Sequence, residues 1–598
     1  MRIDGYAPIR DYALIGDGRT AALVARDGSI DWLCVPDVDS PAIFARILDS
    51  EKGGSFRLEP EVDYEVERRY VGDSNVLETT FRTGEGIVRV TDAMTLTDTH
   101  VIAPLRELVR KIECVEGRVR LRYVFEPRFE YGARTMTIDT RGGRFVVHGG
   151  KDAVALAAWG AGTAEVRGGA VHGDVDLSAG KTAVLTVAAT HQEPLIYATR
   201  ADVERRLERT VRFWEDWAGR IAYNGPWRDA VVRSALALKL LVFAPSGAIV
   251  AAPTASLPEW IGGGRNWDYR YSWLRDASWT TDALLRLGFA DEARAFFWWF
   301  MHASRLTEPE LHVFYRVDGS IHAPELELPL AGYRRSSPVR IGNGAATQVQ
   351  LDTYGDVLES VWLLARETNE LDRATGKDVA AIADHVATHW RKADSSIWEV
   401  RRPETHFTQS KAFCWVALDR ACRLAEHGYI PDRREKWRAA ADEIRRYIDD
   451  NCWDEQRRTY IRAPDLHELD ASLLTLAIMS YDDPKGERMN GVIDAVARDL
   501  RNGPFVHRYL GEDGVGGEEG AFLTCSFWLV DALAGAGRLD EATSLFEELI
   551  ALGNDVGLYA EEVHPATGEF LGNFPQGLTH LALVNAALSI YDAHREAA

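Results

Sequence analysis

Two carboxylates in the C-terminal half of this chain have positions that suit acid–base chemistry. Glu399 follows Trp398 in the segment 398–401, and Glu561 begins a Glu-Glu pair in the segment 559–576. Each lies in a loop just before a predicted helix. Hydrolysis of a glycosidic bond needs two carboxylates on opposite sides of one pocket, one of which protonates the leaving oxygen. The pair therefore makes this chain a candidate carbohydrate enzyme.

The loop 260–276 mixes Trp, Tyr, Arg and Asp with three successive glycines. A nucleotide-phosphate loop is not expected here, because no strand precedes the glycines and the required spacing is absent. Aromatic faces can cover a sugar ring while charged side chains bind its hydroxyls. Core packing around a buried Arg–Asp pair is the alternative, and the segment alone does not decide between them.

Other loops before predicted helices are also polar. The segment 507–520 contains Arg508 and ends in Glu518, Glu519 and Gly520, although acids before a helix also fit stabilisation of the helix dipole. The segment 340–348 is small and polar, as a pocket wall or a helix cap can be. Several carboxylates in matching loops favour a site, because loops on one rim of a rigid scaffold converge.

Other chemistries find little support in the sequence. It contains no His-Glu-x-x-His, Gly-x-Ser-x-Gly or Walker A motif, and its 16 histidines are scattered. The six cysteines form no Cys-x-x-Cys pair and match no zinc spacing. We therefore predict no metal site, no cofactor and reduced thiols.

Composition narrows the class of partner. The 598 residues are 46% hydrophobic, with 69 basic against 91 acidic side chains and a net charge of −22. Such an acidic chain is a poor candidate for binding nucleic acid or an anionic membrane. The first residues lack the basic and apolar pattern of a signal peptide, and no apolar run is long enough to span a membrane. We therefore expect a cytoplasmic protein.

The chain divides into three parts by pattern. Residues 1–195 read as many short strands without intervening helices, which predicts an antiparallel β-sandwich domain. Residues 196–225 predict a linker helix, or else the first helix of the following domain. Residues 226–598 form the predicted catalytic domain, which is almost entirely helix and loop.

Twelve amphipathic segments are predicted in the last part. They cover 226–243, 272–287, 289–304, 349–369, 375–391, 407–427, 431–449, 469–481, 485–500, 519–534, 539–552 and 577–594. Twelve helices could form a bundle, a solenoid or a closed toroid of six hairpins. No fixed repeat in the sequence supports a regular solenoid. Short loops alternate with long ones rich in Trp, Gly, Arg and acids, which favours the toroid with its long loops on one rim.

Taken together, the motifs resemble those of glycoside hydrolase family 15, the glucoamylase and trehalase family, in its bacterial branch. The resemblance covers nearly the whole length through the segments 6–12, 28–33, 265–276, 398–401, 517–520 and 561–576. It implies an N-terminal antiparallel β-sandwich followed by a C-terminal (α/α)6 toroid. It also implies inverting, exo-acting hydrolysis of an α-glucoside, with release of β-D-glucose from the non-reducing end.

The resemblance also implies roles for single residues. Glu399 corresponds to the general acid and Glu561 to the general base. The residues that correspond to substrate-binding positions, or lie beside them, are Trp273, Arg275, Asp276, Trp398, Arg508, Glu518, Glu519 and Glu562. Fungal members carry a second acid directly after the catalytic acid, whereas this chain has Val400 there, so contacts beyond the cleaved bond do not transfer.

The substrate remains open at this stage among starch, maltose, isomaltose and α,α-trehalose. The expected location favours a small carbohydrate such as trehalose or a short malto- or isomalto-oligosaccharide. Two alternatives are a disaccharide phosphorylase and a non-catalytic carbohydrate-binding protein. The presence of both Glu399 and Glu561 argues against each. The sequence gives no indication of oligomeric state.

Overall fold

The N-terminal part of the chain is an antiparallel β-structure. The computed structural model describes residues 2–96, 106–369 and 371–597. Within these, fifteen strands precede the first α-helix. They are β1 (Tyr12–Gly16), β2 (Ala21–Ala25), β3 (Ile30–Cys34), β4 (Ala42–Phe44), β5 (Ser55–Pro60), β6 (Tyr64–Tyr70), β7 (Leu77–Thr83), β8 (Gly86–Met94), β9 (Arg106–Glu126), β10 (Thr137–Arg141), β11 (Arg144–Gly149), β12 (Asp152–Trp159), β13 (Ala164–Arg167), β14 (Ala170–Ser178) and β15 (Thr182–His191).

The long strand β9 joins two layers of this structure. Its first half pairs antiparallel with β8 and β15, and its second half pairs antiparallel with β5 and β14. The strands β6 to β8, β10 to β12 and β15 form one layer, and β1 to β5, β13 and β14 form the other. Apolar side chains of both layers meet in a buried core, as two packed sheets require. The predicted antiparallel sandwich is confirmed.

One helix leads from the sandwich into the helical part. Helix α1 (Arg200–Ala218) begins with a capping box, in which the Thr199 and Asp202 side chains each bind the other residue's backbone N–H. Its apolar face buries Val203, Leu207 and Trp214. It therefore packs as an ordinary amphipathic helix.

Twelve further helices follow in the described residues, in good agreement with the twelve predicted segments. They are α2 (Arg228–Leu241), α3 (Leu274–Arg286), α4 (Ala290–Ala303), α5 (Thr353–Thr368), α6 (Arg373–His389), α7 (Thr408–Glu426), α8 (Arg434–Asn451), α9 (Thr475–Ile478), α10 (Glu487–Asp499), α11 (Leu523–Gly535), α12 (Leu539–Ile550) and α13 (Gly577–Ala597). Helix α9 is much shorter than the predicted 469–481. It follows a 3-10 turn (Ala471–Leu474) that the Asp470 side chain caps, and Ser480 lies in the left-handed backbone region just after it.

The alternate helices α3, α5, α7, α9, α11 and α13 form a closed ring, because each contacts the next and α13 returns to α3. The remaining helices pack outside this ring. Inner helices such as α7 and α11 are buried on nearly all sides, whereas the outer helices α8 and α12 bury one face. The predicted (α/α)6 toroid is confirmed.

Short strands occur in the loops of the toroid. They are β16 (Ala255–Pro258), β17 (Asn266–Asp268), β18 (Ser272–Trp273), β19 (Phe314–Tyr315), β20 (Leu326–Leu328), β21 (Val339–Ile341), β22 (Trp453–Asp454), β23 (Thr459–Tyr460), β24 (Arg501–Asn502), β25 (Phe505–Val506), β26 (Ala521–Phe522), β27 (Glu562–Val563) and β28 (Phe570–Leu571). Antiparallel pairs such as β16 with β17 and β26 with β27 give the loops fixed shapes.

The sandwich braces the loop that precedes α3. The Trp32 indole donates a hydrogen bond of 2.7 Å to the carbonyl of Pro253. Arg270 donates one of 2.6 Å to the carbonyl of Ser40, while it also binds Asp268. These buried contacts fix both ends of the loop against the sandwich. Among the helices of the described ranges, none combines the length and the apolar character needed to cross a membrane.

Candidate active site

Two small adjoining cavities lie where the inner helices begin. The inner cavity is lined in part by Arg275, Asp276, Glu561 and Gln576, and the outer one in part by Trp267, Gln348, Arg401 and Asp513. The walls they share are Tyr269, Trp273, Trp398, Glu399 and Arg508. Their volumes are ≈ 20 and ≈ 40 Å³, which is room for a few water molecules. Entry of a sugar therefore requires movement of the wall.

Glu399 lies between the two cavities, in an unusual backbone conformation. Its φ of 51° is in the left-handed region, which non-glycine residues seldom adopt and which is often found at functional sites. Its Oε1 accepts three hydrogen bonds of 3.1 Å, from Nε1 of Trp273, Nη1 of Arg275 and Nε2 of Gln350. Three donors on one oxygen fix the orientation of the carboxyl group and leave Oε2 free to face the cavity.

The donors to Glu399 are themselves held in place. The Trp273 ring packs against the Phe314 ring with centroids 4.6 Å apart. The Arg275 guanidinium donates to Oδ1 of Asp276 at 2.6 Å and also to the carbonyl of Ile397. Arg275 therefore ties the first turn of α3 to the loop that carries Glu399. The predicted Arg–Asp pair thus forms part of the core and part of the cavity wall.

Burial raises the pKa of Glu399, because the charged form loses hydration. The positive charge of Arg275 and the hydrogen bond from Gln350 oppose this rise. The net direction is upward. It favours a protonated carboxyl group at a pH where an exposed glutamate is ionised.

Glu561 lies in the loop before α13 and is only 1% exposed. Its Oε2 accepts a hydrogen bond of 3.1 Å from the backbone N–H of Asn573. Its Oε1 is buried and has no hydrogen-bond partner among the described residues. Burial and the negative charge of Glu259 raise the pKa of Glu561 to about 8, against a lowering by Arg508. One oxygen is thus anchored and the other is free.

Arg508 contacts three further glutamates, of which Glu259 lines the outer cavity. Its Nη2 lies 2.7 Å from Glu519, 3.4 Å from Glu259 and 3.7 Å from Glu562. The carboxylate oxygens of these three lie within 4.8 Å of one another, a spacing that could hold a cation. The guanidinium of Arg508 contacts all three, and that of Arg265 lies 3.7 Å from Glu259 and 3.2 Å from Glu519, so the chain itself supplies two positive charges to this cluster. Its Cζ also lies 5.5 Å from the Trp398 ring.

Two arginines form ion pairs in the walls of the outer cavity. Arg265 donates to both oxygens of Asp513, at 2.8 and 2.9 Å, and to the carbonyl of Val515 at 2.9 Å. On another side, Arg401 pairs with Glu325 and its Cζ lies 4.3 Å over the ring of Trp267. These ion pairs and the indole make a polar wall with one aromatic face.

The structure brings most of the predicted site residues together. Trp273, Arg275, Asp276, Trp398, Glu399, Arg508 and Glu561 line the cavities, and Glu519 and Glu562 lie directly behind Arg508. Glu518, next to Glu519, is exposed and lies outside the cavity lining in the described part of the chain. Sequence reasoning did not assign a role to the wall residues Glu259, Tyr269, Arg401 and Gln576, nor to Gln350, which donates to Glu399. Only their presence in the same long loops could have indicated them.

Comparison with known proteins agrees with this architecture. The sequence profile described as Glycosyl hydrolases family 15 matches residues 225–588, and one described as Trehalase-like, N-terminal matches residues 4–214. A trehalase of Mycolicibacterium smegmatis is 38% identical, over 99% of this chain and 92% of its own length. A trehalase of Thermoplasma volcanium is 33% identical, over 99% of this chain and 95% of its own length.

Among solved structures, a bacterial glucoamylase complexed with acarbose superposes with a TM-score of 0.74. It covers 98% of this chain and 95% of its own, at 14% sequence identity. At that identity the likeness shows a shared fold, a sandwich followed by a helical toroid.

Proposed function

The chain belongs to glycosyl hydrolase family 15, and on that premise we propose that it hydrolyses a small α-glucoside with inversion, releasing β-D-glucose from the non-reducing end. The observation that carries the proposal is that Glu399 and Glu561 line the same inner cavity. Two carboxyl groups around one sugar position are the minimum that this reaction needs. The coarser statement, that the protein is a glycoside hydrolase, follows from the family itself.

Glu399 is the proposed general acid. It alone of the two glutamates lines both cavities, so it lies where the bond between two sugar units would cross from one to the other. Because Oε1 already accepts three hydrogen bonds, the transferable proton resides on Oε2. Burial keeps that proton bound until the glycosidic oxygen accepts it.

Glu561 is the proposed general base. It lines only the inner cavity, with Gln576 beside it. The Asn573 N–H holds Oε2, and Oε1 is left free to accept a proton from a water molecule. That water would attack the anomeric carbon on the face opposite Glu399, which inverts the configuration. The reaction is balanced: the proton from water goes to Glu561 and the proton of Glu399 goes to the leaving oxygen.

The inner cavity is the proposed site of the terminal glucose. Arg275, Asp276 and Arg508 supply charged groups that can bind sugar hydroxyls, while Trp273 and Trp398 supply aromatic surface. The raised pKa of Glu561 means that its ionised form becomes abundant only toward alkaline pH in the empty site. Removal of the negative charge of Glu259 would therefore lower the pKa of Glu561 and favour activity at lower pH.

We propose α,α-trehalose as the substrate. The curated relatives named above are trehalases and align over nearly the whole chain. The outer cavity supports a short leaving group, because Asp513, Val515 and Arg401 enclose it instead of leaving an open groove for a polymer. A single glucose is the leaving group of trehalose.

The test is glucose release from trehalose, maltose, isomaltose, nigerose, kojibiose and soluble starch, with the first anomer followed by NMR. Equal amounts of β- and α-glucose from trehalose, with much slower release from the others, are the expected result, because the attacked glucose is inverted to β while the leaving glucose keeps its α configuration. The variants Glu399→Gln and Glu561→Gln should each lose at least about a hundredfold in kcat while folding normally. Glu548→Gln, an exposed change on α12, is the matched control. Phosphate-dependent release of glucose 1-phosphate, or release of α-glucose alone with no β-glucose as the first product, would overturn the proposal.

A further inference from the structure

A second and much larger cavity lies at the opposite end of the toroid. Its volume is ≈ 760 Å³, within the range of about 300–1,000 Å³ typical of small-molecule sites. We call it the far cavity and define it by Trp279, Asp282, Asp356, Asp531 and Asn585. These residues belong to α3, α5, α11 and α13. The far cavity therefore lies inside the ring of inner helices and opens where those helices end.

The two ends of the toroid are separated by a wall of three indoles. Trp398 lines the active-site cavities, and its ring lies 5.8 Å from that of Trp528. Trp528 lies 5.8 Å in turn from Trp279, which lines the far cavity. The far cavity is thus a distinct space, and glucoside hydrolysis as proposed above makes no use of it.

The charge of the far cavity is unbalanced toward negative. Among its lining residues six are acids, namely Asp282, Asp356, Glu359, Asp531, Asp592 and Glu596, and three are bases, namely Arg286, Arg366 and Lys485. Arg286 is engaged with Asn585 and Asp592, and Arg366 and Lys485 are exposed at the mouth. Glu359 has its own partner in Arg420. Arg286 is therefore the main positive charge near the deeper acids Asp282 and Asp531, and it is shared between them and Asp592.

Two of those deeper acids face the cavity from different helices. Asp282 on α3 and Asp531 on α11 make no ion pair within the described residues, and both line the cavity. Burial raises the pKa of Asp282 to about 6; the charge of Arg286 opposes this rise, and the charges of Glu359 and Asp531 add to it. A buried carboxylate that is only partly compensated costs free energy that a cationic ligand would recover.

The floor also contains polar atoms without partners. Asp356 and Ser278 line the cavity, and Oδ2 of Asp356 and Oγ of Ser278 are buried and have no hydrogen-bond partner among the described residues. Asp356 is 1% exposed and Ser278 is 3% exposed. Buried polar groups are nearly always hydrogen-bonded, so these atoms indicate a ligand or ordered water. Both are acceptors that suit an N–H donor.

We propose that the far cavity binds an aliphatic polyamine, with ammonium groups placed against Asp282 and Asp531 and a further N–H donor reaching Asp356. Facing carboxylates suit two separated ammonium groups, and the apolar stems of the lining, such as Leu363 and Ala532, suit the methylene chain between them. The volume of the far cavity, ≈ 760 Å³, accommodates an aliphatic polyamine. The three acids come from three different inner helices, so the ligand would bridge across the ring.

The test is calorimetric titration of the full-length protein with spermidine, at low and at high salt. We expect one site, weakened by salt because the attraction is between charges. Asp282→Asn and Asp531→Asn should each weaken binding at least about tenfold, since each removes one charged partner. Asp216→Asn, an exposed change on α1, is the control and should leave binding unchanged. Hydrolytic activity and thermal unfolding of each variant show that the fold is kept.

Four results of such titrations would overturn the proposal. Unchanged spermidine affinity in both cavity variants would place the ligand elsewhere, for example among the acids of the active site. Equal binding of 1,8-octanediol would show an apolar site, and binding of trehalose or glucose that Asp282→Asn abolishes would show a sugar site. The absence of spermidine binding would show a water-filled cavity. If the variants do not fold, a crystal of the unaltered protein soaked in spermidine locates the ligand directly.

Discussion

Gln350 donates its side-chain N–H to Oε1 of Glu399 across 3.1 Å, from a position that is itself buried. This hydrogen bond stabilises the ionised form of the glutamate and so lowers its pKa, against the larger effect of burial that raises it. The amide therefore sets how readily the proposed acid gives up its proton.

Replacing Gln350 by Met removes this donor with little change in volume. The pKa of Glu399 should then rise further. Because the acid must be protonated, a higher pKa of Glu399 increases its protonated fraction most at high pH, and the ratio of variant to wild-type kcat/KM should rise as pH rises. The pH profile with trehalose measures this ratio, and Gln456→Met on the surface is the control. A ratio that does not change with pH would contradict the role given to Glu399.

Glu259 is expected to influence the proposed base. Its negative charge helps to raise the pKa of Glu561, so Glu259→Gln should lower that pKa. The base must be ionised, so the variant should keep more of its activity than the wild type as pH falls below about 8. The Gln side chain can still accept the hydrogen bond of 2.9 Å from Trp267. If the variant loses activity at the same pH as the wild type, or at a higher pH, Glu561 is not the base.

Because Gly572 has no side chain, it leaves room for the carboxylate of Glu561. A Cβ added at Gly572 would lie 2.3 Å from Oε2 and 2.7 Å from Cβ of Glu561. Gly572→Ala should therefore displace the carboxylate and reduce kcat at least about tenfold. Its φ of 71° also strains any side chain, so the matched control is Gly568→Ala, with a φ of 69° and open space around it. Equal losses of activity in both variants would point to backbone strain instead of displacement.

The same residues show how far sequence reasoning reaches. Glu399 and Glu561 were predictable because each lies beside its motif in a loop that precedes an inner helix. Glu259 was not, because it lies about 300 residues before Glu561 and approaches it only when α13 closes the ring against α3. Distance along the chain hides such a contact from any local pattern.

Neighbouring residues can also differ in ways that sequence does not indicate. Glu518 and Glu519 share one motif, yet Glu519 pairs with Arg508 at 2.7 Å while Glu518 points to solvent. Which of the two glutamates reaches Arg508 depends on the path of a glycine-rich loop, in which Gly517 has a φ of 103°. The alternation of loop lengths predicted the toroid, whereas it did not predict the short α9, because capping by Asp470 and the left-handed Ser480 act only locally.

The ion pair between Arg265 and Asp513 should matter for the leaving sugar more than for the terminal glucose. Asp513→Asn weakens the hold on the loop that encloses the outer cavity, so kcat/KM for trehalose should fall about tenfold or more. α-Glucosyl fluoride has a leaving group that does not fill the outer cavity, and its kcat/KM should stay within about twofold, since a lost outer contact is worth little to a substrate that never makes it. Equal losses with both substrates would show that the ion pair supports the whole site, including the wall shared with Glu399. Asp555→Asn, which removes a partner of Arg68 at the contact with the sandwich, controls for the loss of an ion pair elsewhere.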